Sequence, residues 1–174
     1  MRLRHVISSA LIAFTLTACP SEDETSCPPD DGVMDDEMYP PAECSDDIPE
    51  LREEMKVLGT MGKIQAELVT ADKIPLGWFY NDWTVKFTGP DGEPLEGVTI
   101  DKVEPYMTVH QHGTTVPIID ELDDGEFDVS AINIVMAGPW EVRFTVKADG
   151  VEDYIVFNVC NAQPRPVTNA NACE

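Results

Sequence analysis

The stretch WEVRFTVKADGVEDYIVFNV, residues 140 to 159, decides the fold class of this chain. Apolar and polar residues alternate in its two halves, from Trp140 to Val146 and from Tyr154 to Val159. Such alternation is typical of strands that bury one face. Between the halves lies Ala148-Asp149-Gly150, and Asp-Gly is a strong signal for a tight hairpin turn. The stretch therefore predicts an antiparallel β-hairpin.

The same alternation recurs upstream, in runs that are separated by turn residues. These runs are Ile64–Val69, Trp83–Thr88, Val98–Val103 and Glu126–Ile132. Residues 107–110 are expected to continue the third run beyond Pro105. About six or seven strands without a long helix predict an all-β protein, an immunoglobulin-like antiparallel β-sandwich. Six aromatic residues are expected to fill its core: Trp83, Phe87, Phe127, Trp140, Phe144 and Phe157.

Residues 1–18 are typical of a bacterial lipoprotein signal peptide. Arg2 and Arg4 precede an apolar segment that is too short to span a bilayer. The four residues that follow, Leu16-Thr17-Ala18-Cys19, resemble a lipobox, which implies lipidation of Cys19 and a membrane anchor. An ordinary signal peptide that ends near a cysteine is the alternative. Pro20 stands where an inner-membrane retention signal would have Asp, so an outer-membrane location is favoured.

The composition of residues 19–60 predicts an acidic, proline-rich tether. Pro20–Glu50 contains acidic residues and prolines but no Lys or Arg, a composition that favours disorder. Leu51–Leu58 is expected to form a helical turn or two. The β-sandwich is then expected to occupy residues 61–160, with a C-terminal tail over 161–174. A formal net charge of −22 argues against nucleic acid as a partner.

Four cysteines remain when Cys19 is set aside, and an even number in an exported protein predicts disulfides. Cys27 and Cys44 flank the acidic segment, and Cys160 and Cys173 flank the tail. At least one bridge between these two groups is favoured, because it would hold the two ends of the body together. Two local bridges, 27–44 and 160–173, are the alternative.

Four short motifs follow one another between residues 77 and 147. They are Gly92-Glu93-Pro94-Leu95-Glu96-Gly97, Met107-Thr108-Val109-His110-Gln111-His112-Gly113, Gly125-Glu126-Phe127 and Met136-Ala137-Gly138-Pro139-Trp140. In this order they resemble the YtkA-like domain, which is related to the periplasmic part of FixH proteins. Thr108 and Phe127 depart from the family's usual Pro and Tyr. The resemblance implies a small exported β-sandwich and a role in copper handling, because FixH is linked to copper delivery.

The candidate metal ligands are His110, His112, Met107 and Met136. Imidazoles and thioethers suit Cu(I), and imidazoles also suit Cu(II). A His-x-His pair on a regular strand places both rings on one face, about 6.6 Å apart at the backbone. Met107 would then point to the opposite face, unless the backbone bends or the strand ends near Val109.

The alternative is that the histidines are solvated loop residues and that the methionines fill the core. A nearby acidic group offers either oxygen ligands for a harder ion or an ordinary solvated turn. This group is Asp120, Glu121, Asp123 and Asp124.

Enzyme motifs are missing from the sequence: it has no Gly-x-Ser-x-Gly elbow, phosphate loop or His-Glu-x-x-His helix. We therefore expect a non-enzyme. Two functions are consistent with the sequence. One is a lipid-anchored protein that binds or delivers copper. The other is an immunoglobulin-like envelope lipoprotein for adhesion or assembly, with a protein partner and without metal.

Overall fold

A computed structural model of the chain describes residues 44–165, which form nine β-strands and no helix. This part of the chain accordingly contains no helix that could cross a membrane. The predicted signal peptide, the lipidation site Cys19, Cys27 and Cys173 lie outside the described residues. The strands are β1 (Met55–Leu58), β2 (Gln65–Ala71), β3 (Phe79–Thr88), β4 (Thr99–Met107), β5 (His112–Gly113), β6 (Ile118–Glu121), β7 (Glu126–Ile134), β8 (Gly138–Ala148) and β9 (Val151–Asn161).

The strands form two antiparallel sheets, which confirms the predicted β-sandwich. One sheet has the order β1-β2-β3-β7-β6 and the other has the order β5-β4-β8-β9. Within them, β2-β3-β7-β6 corresponds to the A-B-E-D sheet of immunoglobulin domains, and β4-β8-β9 corresponds to C-F-G. β1 and β5 extend the two sheets at their edges.

The predicted hairpin over residues 140–159 is present as β8 and β9. Their register runs from Gly138 opposite Asn161 to Ala148 opposite Val151. Asp149 and Gly150 make the two-residue turn with φ of 50° and 76°. Positive φ at both central residues is what a type I′ hairpin turn requires, so Asp-Gly suits this position.

The six aromatic residues expected in the core are all buried, as predicted. All of them except Trp140 make edge-to-face contacts with one another. The ring centroid of Phe144 lies 6.0 Å from that of Phe87 and 5.8 Å from that of Phe157. The ring centroids of Trp83 and Phe157 are 5.6 Å apart. Aromatic quadrupoles favour such tilted contacts over face-to-face stacking. The alternating runs thus bury one side of each strand in a single core.

Two local predictions were wrong. The segment 51–58 is not helical: residues 55–58 form β1, whose backbone pairs with residues 65–68 of β2. Met55 and Val57 pack against the core, so a partner strand overrides the local preference. The second correction concerns residues 108–110. β4 continues beyond Pro105 to Met107, as predicted, but it ends there and residues 108–110 form a turn.

The sandwich also begins earlier in the chain than residue 61. Leu51 is buried in the core, and β1 precedes the expected start of the body. Cys44 forms a disulfide with Cys160 near the end of β9, across a sequence separation of 116 residues. The predicted bridge between the two cysteine groups is confirmed for this pair. The alternative of bridges 27–44 and 160–173 is wrong for these two cysteines.

A buried carboxylate joins the β1–β2 connection to β9. Asp153 is fully buried and accepts backbone N–H bonds from Met61, Lys63 and Ile64 at 2.8 to 3.0 Å, and one from Tyr154 at 2.8 Å. Burial raises the pKa of this carboxyl, but the four N–H bonds outweigh burial and hold the pKa below its usual value. Asp153 therefore holds the β1–β2 connection as an anion.

Candidate metal centre

The histidine segment lies at one end of the four-stranded sheet, in the connection from β4 to β5. After Met107 the chain turns through residues 108–111, and the Gln111 N–H donates to the Met107 carbonyl at 2.8 Å. Gln111 closes the turn with φ of 56°, in the left-handed region. Gly113 then pairs with Tyr106 in β4. His110 is thus a turn residue and His112 a strand residue, so the two histidines do not lie on one regular strand.

This turn resolves the difficulty over which way Met107 faces. His112 pairs directly with Met107 in the β4–β5 ladder. Residues that are directly opposite in an antiparallel pair carry their side chains on the same face. Met107 is only 2% exposed and belongs to the core. His112 therefore lies on the same face of the sheet as Met107, at the edge of the core-facing side. A bend near Val109 is what the sequence required for Met107 to share a face with the histidines.

The two imidazole rings lie side by side at the surface. Their centroids are 6.0 Å apart with an interplanar angle of 35°, and both histidines are exposed. With metal–nitrogen bonds of about 2 Å, two imidazoles on one ion have ring centroids roughly 5 to 6 Å apart. The observed centroid spacing lies within the range expected for two imidazoles on one ion.

The ring of His112 is oriented by its own strand. Its Nδ1 lies 3.2 Å from the Gly113 carbonyl oxygen. In the tautomer that carries the proton on Nδ1, this nitrogen donates to the carbonyl and Nε2 keeps its lone pair. Ligating histidines commonly use such a bond to fix the ring and its tautomer. Nε2 is accordingly the atom of His112 that is available to a metal.

Met136 approaches this end of the sheet from the segment between β7 and β8. Its carbonyl oxygen accepts from Trp140 Nε1 at 3.0 Å and from Asn161 Nδ2 at 3.3 Å. The side chain of Met136 is partly buried and packs against the core. The structure therefore brings its backbone beside Trp140, whose ring is a neighbour of His112.

Trp140 also belongs to this site, although the sequence pattern predicted for it only a place in the core. Its ring centroid lies 6.2 Å from that of His112 with an interplanar angle of 78°, and the indole is 1% exposed. It contacts the ring of one candidate ligand and the carbonyl of another. Its position at the end of the Met136–Trp140 motif was the sequence feature that could have indicated a place at this site.

The carboxylates of β4 and β8 at this end of the sheet form ion pairs. Glu104 and Glu141 lie on the outer face of the sheet, where Arg143 pairs with Glu141 at 2.6 Å and Lys102 with Glu104 at 2.9 Å. The acidic group at residues 120–124 is exposed, on β6 of the other sheet and in the turn that follows it. Within residues 44–165, no cluster of three or more His, Cys, Asp or Glu residues could hold a metal.

Comparisons of the chain with protein families, with curated proteins and with solved structures found no match.

Proposed function

We propose that this protein is an exported, lipid-anchored β-sandwich that binds copper through His110 and His112, with Met107 and Met136 as supporting thioethers. The observation that carries the proposal is the pair of exposed imidazole rings with centroids 6.0 Å apart. The orientation of His112 by the Gly113 carbonyl supports it.

Copper is favoured over other metals by the donor set. Imidazole and thioether are soft to borderline ligands that copper accepts in either oxidation state, whereas Ca²⁺ and Mg²⁺ require oxygen ligands. The resemblance of the motif order to YtkA-like and FixH proteins supports the same metal. Cys19 would anchor the protein to the outer membrane through its acyl chains, and the sandwich would present the histidine turn to copper in the envelope.

The test is a copper titration of the purified full chain, with Cu(I) under anaerobic conditions and Cu(II) in parallel, each against a chromophoric competitor. We expect one ion per chain and loss of binding in His110→Ala/His112→Ala. Val109→Ala is the matched control, because Val109 is an exposed side chain of the same turn and both rings remain. Failure of the wild-type chain to compete for either copper ion would reject the proposal.

A metal-independent adhesion or assembly module is the second candidate. It is supported by large apolar side chains that remain exposed: Tyr80 is 58% exposed, Val116 72% and Ile118 59%. A chain that ignores both copper ions and binds a purified envelope protein through these side chains would favour this function.

A further inference from the structure

On the core-facing side of the four-stranded sheet, His112 is followed by a thioether and an indole side chain. His112 of β5 pairs with Met107 of β4. On the other side of β4, Tyr106 pairs with Glu141 of β8. In this antiparallel ladder the next position along places Trp140 of β8 beside Met107 of β4. His112, Met107 and Trp140 thus follow one another across three adjacent strands on the core-facing side.

Met107 and Trp140 supply no oxygen ligand, which is the kind of ligand that a hard ion prefers. Met107 and Trp140 are 2% and 1% exposed, so the inner side of His112 faces a thioether-bearing core and an indole ring. The nearest carboxylates on the same strands, Glu104 and Glu141, point to the opposite face and pair with cations. An ion between the histidines would have soft neighbours on its inner side.

We propose that the site selects Cu(I) over Cu(II), and that the indole of Trp140 is the aromatic wall that contributes to this selection. The inference rests on the copper site proposed above and names the oxidation state of its substrate. Cu(I) is a soft monocation that accepts few ligands and binds well to imidazole and thioether. Cu(II) favours tetragonal nitrogen and oxygen sets. An aromatic ring also attracts a partly desolvated cation.

Trp140 additionally holds the two ligand-bearing segments together. Its ring contacts His112, and its Nε1 donates to the carbonyl of Met136. The two roles are separable by substitution. Trp140→Phe and Trp140→Leu both remove the N–H donor and reduce the volume, but only Phe keeps an aromatic face.

The experiment compares wild-type, Trp140→Phe and Trp140→Leu chains in competitive titrations with Cu(I) and with Cu(II), and follows tryptophan emission. We expect the wild-type chain to bind Cu(I) more tightly than Cu(II). Trp140→Leu should lower the Cu(I) affinity about 3- to 30-fold, the range of a cation–π contact. It should lower the Cu(II) affinity by a smaller factor, because Cu(II) favours nitrogen and oxygen ligands, while Trp140→Phe should retain most of the Cu(I) affinity.

The emission change on Cu(I) binding should disappear in Trp140→Phe and persist in the matched control Trp83→Phe, a fully buried tryptophan that packs on Phe157. Equal Cu(I) affinities for the folded Phe and Leu variants would overturn the role of Trp140. If the Leu variant does not fold, the wild-type affinities decide, because Cu(II) binding as tight as Cu(I) overturns the selectivity. Binding of neither ion rejects the proposed function itself, which is a distinct result.

Discussion

At the scale of single residues, Asp153 shows how a buried charge can stabilise a sandwich of this acidity. Four backbone N–H groups converge on its carboxylate, and three of them come from the β1–β2 connection. A Cβ added to Gly59 would lie 2.4 Å from the Asp153 carboxyl carbon. Glycine is therefore required at this position so that the connection can close over the carboxylate.

Replacement of Asp153 by Asn should lower the free energy of unfolding at neutral pH by about 2 to 3 kcal/mol, because an amide loses charge-assisted bonds and turns an NH₂ group towards N–H donors. The pKa of Asp153 is lowered in the folded chain, so its contribution is complete above the unfolded pKa, near 3.8, and is lost as the pH falls through the folded value.

Denaturant titrations between pH 2 and 7 check this prediction. The stability gap between wild type and Asp153→Asn should be widest at neutral pH and should close as the pH falls below about 4. Asp149→Asn is the control, since Asp149 is an exposed turn residue with a left-handed φ that Asn also adopts. A gap that stays constant across this range would contradict the stated cause.

At the scale of elements, the turn between β4 and β5 builds the candidate site. On one continuous strand, alternation would place Met107 on the face opposite to His110. The left-handed residue Gln111 reverses the chain, so that His112 returns opposite Met107. A single backbone conformation thus determines which side chains share a face.

Gln111→Val should destabilise the chain by about 1 to 2 kcal/mol, because a β-branched residue in the left-handed region is strained. It should also weaken copper binding, since relaxation of the turn would separate the two rings. Gln111→Asn should retain wild-type stability and affinity, because Asn tolerates this φ. Thermal unfolding and the copper competition assay measure both effects. Equal behaviour of the Val and Asn variants would show that the turn conformation is unimportant.

At the scale of the whole molecule, two sheets enclose one core, and a disulfide joins the start of the described chain to the end of β9. Cys160 lies opposite Pro139 in the β8–β9 ladder, next to Trp140. The Cys44–Cys160 bond therefore attaches the segment before β1 beside the end of the sandwich that carries the histidines.

Cys44→Ser/Cys160→Ser should lower the free energy of unfolding by about 2 to 5 kcal/mol, because removal of a cross-link over so long a loop releases entropy in the unfolded chain. Chemical denaturation under oxidising conditions measures the loss. Cys27→Ser/Cys173→Ser is the control that keeps the Cys44–Cys160 bond. Equal stability of the two double variants would show that this bond does not contribute.

The sequence by itself determined the features that depend on local chemistry. Alternating runs identified the longer strands, the Asp149-Gly150 pair identified the hairpin turn, and the large aromatic residues identified the core. These predictions were confirmed because strand alternation and turn conformation depend on neighbouring residues. The histidine segment was also recognisable from its residue types.

Only the tertiary structure decided the rest. β1, β5 and β6 are four residues long or shorter, and strands this short are specified by the partners that accept their hydrogen bonds. The shared face of Met107 and His112 follows from a pairing register, and the place of Trp140 beside them follows from β8 lying next to β4. Such contacts join residues that are remote in the chain, so the physical information that determines them is absent from any local pattern.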